Sequence, residues 1–400
     1  MTVDRDARAH AVRVDGVRPA MLRIGLSGWQ YDGWRGDFYP ERLAKRRWLE
    51  HVAERFPTVE LNGSFYSLQR PERYRAWRTV TGAQPFRFAV KGGRYVTHML
   101  RLRHVHTALA NFFASGPLEL GDTLGPVLWQ LPERLAPSPE LLDTFLAELP
   151  TTHAAAAALA AQHDDKVPTA SVDPVVAPQT TIQHALEIRS AAADAVTDEH
   201  LEVLRRHRVA LVDSHAGDFP RHRHDTGAPI AYLRLHGAPR TYHDGYFAQA
   251  LGTWATTVLE HLDAGRDTYV FFDNDAERHA PWDALALDRI VGERLRSRAD
   301  RRSRADWRCW AAPPGCPGGD QRQIVSDSPG ASTTTEPVGA TASRSRPRCM
   351  AKPTSERVAS CTGYARRGAT AATKSIISAT LSHGAPTGAA RTSTGTSGTV

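Results

Sequence analysis

Eight short apolar runs constrain this chain more than any other feature. They cover residues 23–29, 58–65, 87–92, 125–131, 184–189, 209–214, 230–237 and 267–274. Val, Ile, Leu and Phe dominate them, as in strands buried on both faces. Stretches of helical period separate most of them, at 43–56, 71–80, 105–113, 139–149, 198–207 and 246–262, and another follows at 281–295. Ser138 and Thr197 each precede an acidic first turn and suit the N-cap position. Only the connection 215–229 lacks a helical pattern. Eight strand–helix units within about 275 residues are what a (β/α)8 (TIM) barrel requires. The alternative is a doubly wound open sheet. That fold usually has fewer strands and often a glycine-rich first turn, and no G-x-G-x-x-G or G-K-[ST] follows the first run.

The flanks differ from this body. Residues 1–20 lack periodicity and read as a disordered N-terminus. The expected barrel spans 21–297, with 151–181 an inserted loop rich in Ala and Pro that has room for a short helix. Residues 298–400 turn to Ser, Thr, Gly, Pro, Ala and Arg and read as a disordered basic tail. The net charge of +7 belongs to that end: residues 293–400 hold 17 Lys/Arg against 7 Asp/Glu, and the rest holds 33 against 36. The basic balance therefore implies only non-specific nucleic-acid contact through the tail, and a small molecule is the expected partner of the body. Cys309, Cys316, Cys349 and Cys361 all lie in the tail at spacings that fit no zinc motif. With no disulfide framework in the body, a reducing cytoplasm is the expected compartment. No run of about 18 apolar residues exists, so a membrane partner is not expected.

In a barrel of this kind the site forms where the strands end. The first run ends in Ser27, Gly28 and Trp29, and the second carries Glu60 and Asn62. The third ends in Lys91, the fourth holds Gln130, and the fifth carries Glu187 and Arg189. The sixth holds Asp213, the seventh Arg234 and His236, and the eighth Asp273 and Asn274. A single Arg–Glu pair inside a barrel is often structural. Charges at so many matched ends point to one shared pocket. Glu60, Glu187, Asp273 and His236 are the candidate catalytic acids, bases and proton carriers. Lys91, Arg189 and Arg234 are candidates to bind an anion. Trp29, Asn62, Tyr66, Arg94, Gln130 and Asn274 complete the candidate substrate-binding set. Five aromatics lie within residues 29–39, and Tyr242 and Tyr246 follow the seventh run. Aromatic faces beside Arg and Lys suit a flat or ring-shaped anion. Glu60, Glu187, Asp213, His236 and Asp273 could instead hold a divalent metal, although the neighbouring cations can neutralise them without one. The expected function is acid–base catalysis, hydrolase- or lyase-like, on a small anionic or sugar-like substrate. The alternative is a non-catalytic ligand or nucleic-acid binder using the same rim.

Several motifs carry a resemblance. IGLSGWQYDGWRGDFYP (24–40), TVELNGSFY (58–66), FRFAVKGGRYVTH (86–98), LGPVLWQLP (124–132) and VFFDNDAERHAP (270–281) are similar to those of the YecE-like family, domain of unknown function 72. The resemblance runs from about residue 21 to 295. It implies a TIM barrel and a cytoplasmic, bacterial-type protein, and it implies no established activity. Trp29, Glu60, Asn62, Phe65, Tyr66, Lys91, Arg94, His98, Gln130, Glu187, Arg189, Arg234, His236, Asp273 and Asn274 fall in family-like motifs. The fifth run departs: where the family places His and then Trp after Glu-x-Arg, this chain has Ser190 and a run of Ala.

Overall fold

In the computed structural model the described residues are 10–12 and 19–310, apart from 83, 84, 174, 193 and 219, with side chains described from 19 to 301. The strands are β1 (His10–Val12), β2 (Ala20–Ser27), β3 (Thr58–Leu61), β4 (Arg87–Lys91), β5 (Leu124–Gln130), β6 (His184–Glu187), β7 (Ala210–Leu211), β8 (Asp213–His215), β9 (Ile230–Leu235) and β10 (Asp267–Phe272). Their order is β7-β6-β5-β4-β3-β2-β10-β9-β8, with every neighbouring pair parallel. The sixth apolar run is thus two short strands flanking Val212. One pairs with β6 and the other with β9, which brings the sheet round to a nearly closed TIM-like barrel.

Helices cover the outside: α1 (Trp48–Ala53), α2 (Gly63–Tyr66), α3 (Pro71–Thr81), α4 (His106–Ala114), α5 (Pro139–Ala147), α6 (His153–Ala160), α7 (Asp198–His207), α8 (Ala248–Asp263) and α9 (Ala280–Trp310). Ser138 caps α5 by accepting from the Leu141 amide at 3.3 Å. At α7 the Thr197 amide donates to His200 Nδ1 at 3.2 Å. Both capped starts match the sequence pattern.

The segments outside the regular alternation differ in part from the composition reading. Residues 10–12, placed in a disordered N-terminus, form β1 and pair antiparallel with Ala20–Leu22; residues 1–9 and 13–18 lie outside the described residues. Residues 151–181 leave and rejoin the fold through a bridge between Thr152 and Thr181, and the Ala-rich part is α6, packed on α4. The last helix continues to Trp310, past the expected tail boundary at 298; residues 311–400 lie outside the described residues. Phe65, read as the end of the second strand, stands with Tyr66 on α2, because the strand stops at Leu61.

Strand parity sorts the side chains. Ala89, Leu128, Ala185, Ala210, Val212, Ile230, Tyr232, Tyr269 and Phe271 form one apolar cluster inside the barrel. The alternate residues, including Leu26, Val59, Val90, Val127, Leu186 and Leu233, join the larger core under the helices. Small alanines face large aromatics inside, so the interior is filled by side chains rather than left as a pore. Gly25 belongs to this fit, since a Cβ there would lie 2.1 Å from the Thr58 carbonyl oxygen. Continuing each inward face by two residues gives Glu60, Lys91, Gln130, Glu187, Ser214, Arg234 and Asp273, the layer above the apolar filling.

Candidate active site at the barrel mouth

Arg234 is the centre of that layer. It is fully buried, 1 % exposed, in the middle of the mouth. Its Nη2 donates to Glu60 Oε1 at 2.7 Å and its Nε to Glu60 Oε2 at 3.1 Å. Its Nη1 donates to Glu187 Oε2 at 2.9 Å, and Nη2 also reaches Asp273 Oδ2 at 3.1 Å. Three carboxylates from β3, β6 and the end of β10 therefore share one guanidinium. A buried charge of either sign requires such pairing, since isolation in a low dielectric costs several kcal/mol.

The remaining lone pairs of Glu60 are also occupied, and Glu187 gains two further donors on Oε1. Ser27 Oγ and the Tyr232 hydroxyl donate to Glu60 at 2.7 and 2.6 Å. Asn62 Nδ2 donates to Ser27 Oγ at 3.0 Å, extending the network to the rim. Glu187 Oε1 accepts from Arg189 Nε at 3.0 Å and Ser214 Oγ at 2.9 Å. His236 lies between Glu187 and Asp273, with Nε2 3.5 Å from Glu187 Oε1 and Nδ1 3.0 Å from Asp273 Oδ2. Burial works against charge on Glu187 and Asp273. For Glu187 the Arg189 and Arg234 guanidiniums overcome it, and for Asp273 Arg234 and His236 do so, so both carboxyls titrate below their usual range. Held ionised, Glu187 and Asp273 orient the cations around them.

Lys91 stands apart from this network. It ends β4 on the inward face, with 8 % of its surface exposed. Among the described residues its ammonium makes no hydrogen bond or ion pair. It sits 4.4 Å from the centre of the Phe65 ring. Burial and then the Arg234 charge lower its pKa to about 8, against the pull of Glu60, Glu187 and Asp273. The His98 ring meets the edge of the same Phe65 ring, 5.1 Å between centroids, and its Nδ1 lies 2.9 Å from Thr97 Oγ1. Burial, then Lys91, Arg94 and Arg189, push His98 below the ordinary imidazole range.

A third carboxyl is perturbed in the opposite direction. Asp275 is raised to about 6 by burial and by the charge of Asp273. It neighbours Tyr31, whose hydroxyl also donates to the Ser27 carbonyl at 2.6 Å. Sequence reasoning missed Ser27 Oγ, Ser214, Tyr232, Tyr31 and Asp275. The two serines and Tyr232 were visible as inward-parity hydroxyls, whereas Asp275 and Tyr31 lie in loops where parity gives no signal.

The other sequence candidates divide. Glu60, Asn62, Glu187, Arg189, Arg234, His236 and Asp273 form the cluster, and Lys91 borders it. Gln130 continues the inward face of β5, and its Oε1, like Asn62 Oδ1, is buried with no hydrogen-bond partner among the described residues. Trp29 packs edge-on against Trp77 at 5.6 Å and, with Tyr31, Asn62 and Tyr66, borders a groove of about 550 Å³. Tyr66, 70 % exposed, also borders a second groove of about 470 Å³ with Phe65, Arg94 and Tyr95. Arg94 is exposed, with no hydrogen bond or ion pair among the described residues. Asn274 turns away from the mouth, donating to Asp283 Oδ2 at 2.8 Å and to the Asp244 carbonyl at 3.1 Å. Asp213 also faces outward, in a bidentate pair with Arg221 at 2.6 and 2.8 Å. Among the described residues no group of three or more His, Cys, Asp or Glu is arranged to hold a metal ion. No helix of the described residues is long and apolar enough to cross a membrane.

The sequence and fold have clear relatives. UPF0759 protein YecE of Escherichia coli (strain K12) is 33% identical over 132 residues, 32% of this chain and 45% of that protein. UPF0759 protein YunF of Bacillus subtilis (strain 168) is 35% identical over 77 residues, 19% of this chain and 26% of that protein. The chain thus spans less than half the length of these curated relatives. A DUF72 family protein of Thermotoga maritima MSB8 shares the fold with a TM-score of 0.53 and 24% identity, covering 68% of this chain and 99% of the other. A DUF72 family protein of Enterococcus faecalis V583 does so with a TM-score of 0.50 and 18% identity, covering 68% and 96%. Residues 23–306, which reach into the part of α9 beyond the expected boundary, match the family described as "Protein of unknown function DUF72", and the chain belongs to that family.

Proposed function

We propose that this chain is an acid–base enzyme acting on a small anionic, sugar-like molecule at the C-terminal mouth of the barrel. One observation carries the reading. Lys91 and Arg94 are cations without a carboxylate partner among the described residues, at the edge of a cluster whose other charges are compensated. Such cations suit an incoming anion. Asn62 Oδ1 and Gln130 Oε1 are buried acceptors that substrate hydroxyls would satisfy. The aromatic grooves beside them suit the apolar face of a sugar ring.

In this reading Glu60 and Glu187 hold Arg234 and Arg189 in place instead of exchanging protons, because buried donors engage both oxygens of each. Proton transfer falls to groups poised nearer neutrality: Asp275 at about 6, Lys91 at about 8 and neutral His98. A non-catalytic binder would use the same cations and acceptors without these proton carriers. The two are separated by incubating the full chain in deuterium oxide with glucose 6-phosphate, fructose 6-phosphate and gluconate. Proton NMR then reads carbon-bound deuterium or new products, and calorimetry reads binding. Exchange or turnover that Lys91→Met and His98→Ala abolish supports the enzyme. Binding with no exchange supports the binder, and the absence of binding removes both.

A further inference from the structure

We infer that Lys91 Nζ is a nucleophile that forms an imine with the carbonyl carbon of a small anionic aldehyde or ketone. The inference rests on the mouth being the working site and adds to it the substrate's reacting group. The chain has five lysines, and three of them, Lys45, Lys91 and Lys166, have described side chains. Lys45 pairs with Asp32 at 2.9 Å and Lys166 with Asp164 at 3.3 Å, and their side chains are 52% and 68% exposed. Lys91 alone of the three has no ion pair and is buried, with the Arg234 charge nearby. Desolvation and a neighbouring cation are the two means by which an amine is kept unprotonated near neutral pH. With a pKa of about 8 against an ordinary 10.5, its neutral form at pH 7 is more abundant than that of an exposed lysine by roughly two orders of magnitude.

The surroundings supply what imine formation needs. The Nζ lone pair attacks the carbonyl carbon, and the C=O π pair moves to oxygen, which takes up a proton. The resulting carbinolamine gives up one Nζ proton, its hydroxyl is protonated and leaves as water to form the iminium, and the iminium releases the second Nζ proton, so that two protons taken up on oxygen match two lost from nitrogen. Amine and carbonyl thus become imine and water, with no oxidant or reductant. His98, on the same Phe65 ring and held neutral, can carry the proton between nitrogen and hydroxyl. Arg94, without a carboxylate partner among the described residues, takes the substrate's anionic group.

The experiment uses the full chain with pyruvate and, separately, dihydroxyacetone phosphate, each with sodium cyanoborohydride at pH 7. The hydride turns an imine into a stable secondary amine, and peptide mass spectrometry locates it. Expected is an adduct at Lys91 that exceeds those at Lys45 and Lys166 by at least about tenfold. It should be absent in Lys91→Arg, whose folding is checked by circular dichroism, and should form more slowly in His98→Ala. Calorimetry with both ketones is run in parallel. Binding without a Lys91 adduct, or adducts spread evenly over the lysines, overturns the imine and leaves the proposed function standing. Neither binding nor adduct overturns the imine, and that reading loses its carbonyl substrates.

Discussion

Asp273 and Asn274 are consecutive in the chain and lie on opposite sides of the barrel wall. Asp273 Oδ2 is 3.1 Å from Arg234 Nη2 inside, and Asn274 Nδ2 is 2.8 Å from Asp283 Oδ2 on α9 outside. Asn274 therefore fastens the last strand to the last helix. Asn274→Ala is expected to lower unfolding free energy by about 1–3 kcal/mol, the cost of leaving buried partners unmet. Ligand binding at the mouth should be unchanged. Weakened binding at constant stability would return Asn274 to the site.

Arg234→Met leaves Glu60, Glu187 and Asp273 buried around an uncharged side chain. The expected loss is about 3–5 kcal/mol at pH 7, read by urea unfolding. The pH dependence has a defined sign. Glu187 and Asp273 titrate lower folded than unfolded, so their stabilisation is complete above about pH 4 and is lost as pH falls through the folded values. The gap between wild type and variant should narrow as the pH falls below about 4. A gap that stays constant down to pH 2 would mean that Arg234 acts by packing alone.

Lys91 is expected to titrate near pH 8. The carbon-13 methyl signals of reductively methylated protein would show one lysine with that midpoint, missing in Lys91→Arg. Because the Glu187 charge supports the ammonium, Glu187→Gln should move the midpoint lower. A midpoint near 10 would show that Lys91 is solvated and would remove the basis for its nucleophilicity.

Asp275 has the opposite linkage to its neighbour Asp273. Its folded pKa of about 6 lies above the ordinary 3.8 of an aspartate, so its ionisation subtracts stability as pH rises through that interval. Asp275→Asn should therefore be more stable than wild type at pH 8, by on the order of 1 kcal/mol, and nearly equal at pH 4. Thermal unfolding at both pH values tests this, and an equal change at both would assign the effect to the Tyr31 contact.

The barrel was legible because short apolar runs alternate with stretches of helical period through most of residues 23–295. Much of the cluster was legible from the same runs: Glu60 with Asn62, Glu187 with Arg189 and Arg234 with His236 each keep one parity. Roles were less legible than positions. Glu60 and Glu187 looked like proton carriers because carboxylates at strand ends resemble catalytic pairs. Their engagement depends on hydroxyls of Ser27, Tyr232 and Ser214, which in sequence resemble ordinary core residues. Lys91 was placed correctly, but its isolation from carboxylates is a property of three-dimensional neighbours. Asn274 shows the limit of reading strand ends, since one residue of offset exchanges inside for outside.

The break at Val212 gives the polar cluster a mechanical task. The wall is completed there by a two-residue pairing on one side and a three-residue pairing on the other. Across the same place, Ser214 of β8 and Arg234 of β9 both donate to Glu187 of β6. Side chains therefore stitch the ring where the wall passes from β7 to β8. An occupant that drew Arg234 or Ser214 away from Glu187 would loosen the hoop at its seam, so filling the mouth and opening the wall are coupled through one carboxylate.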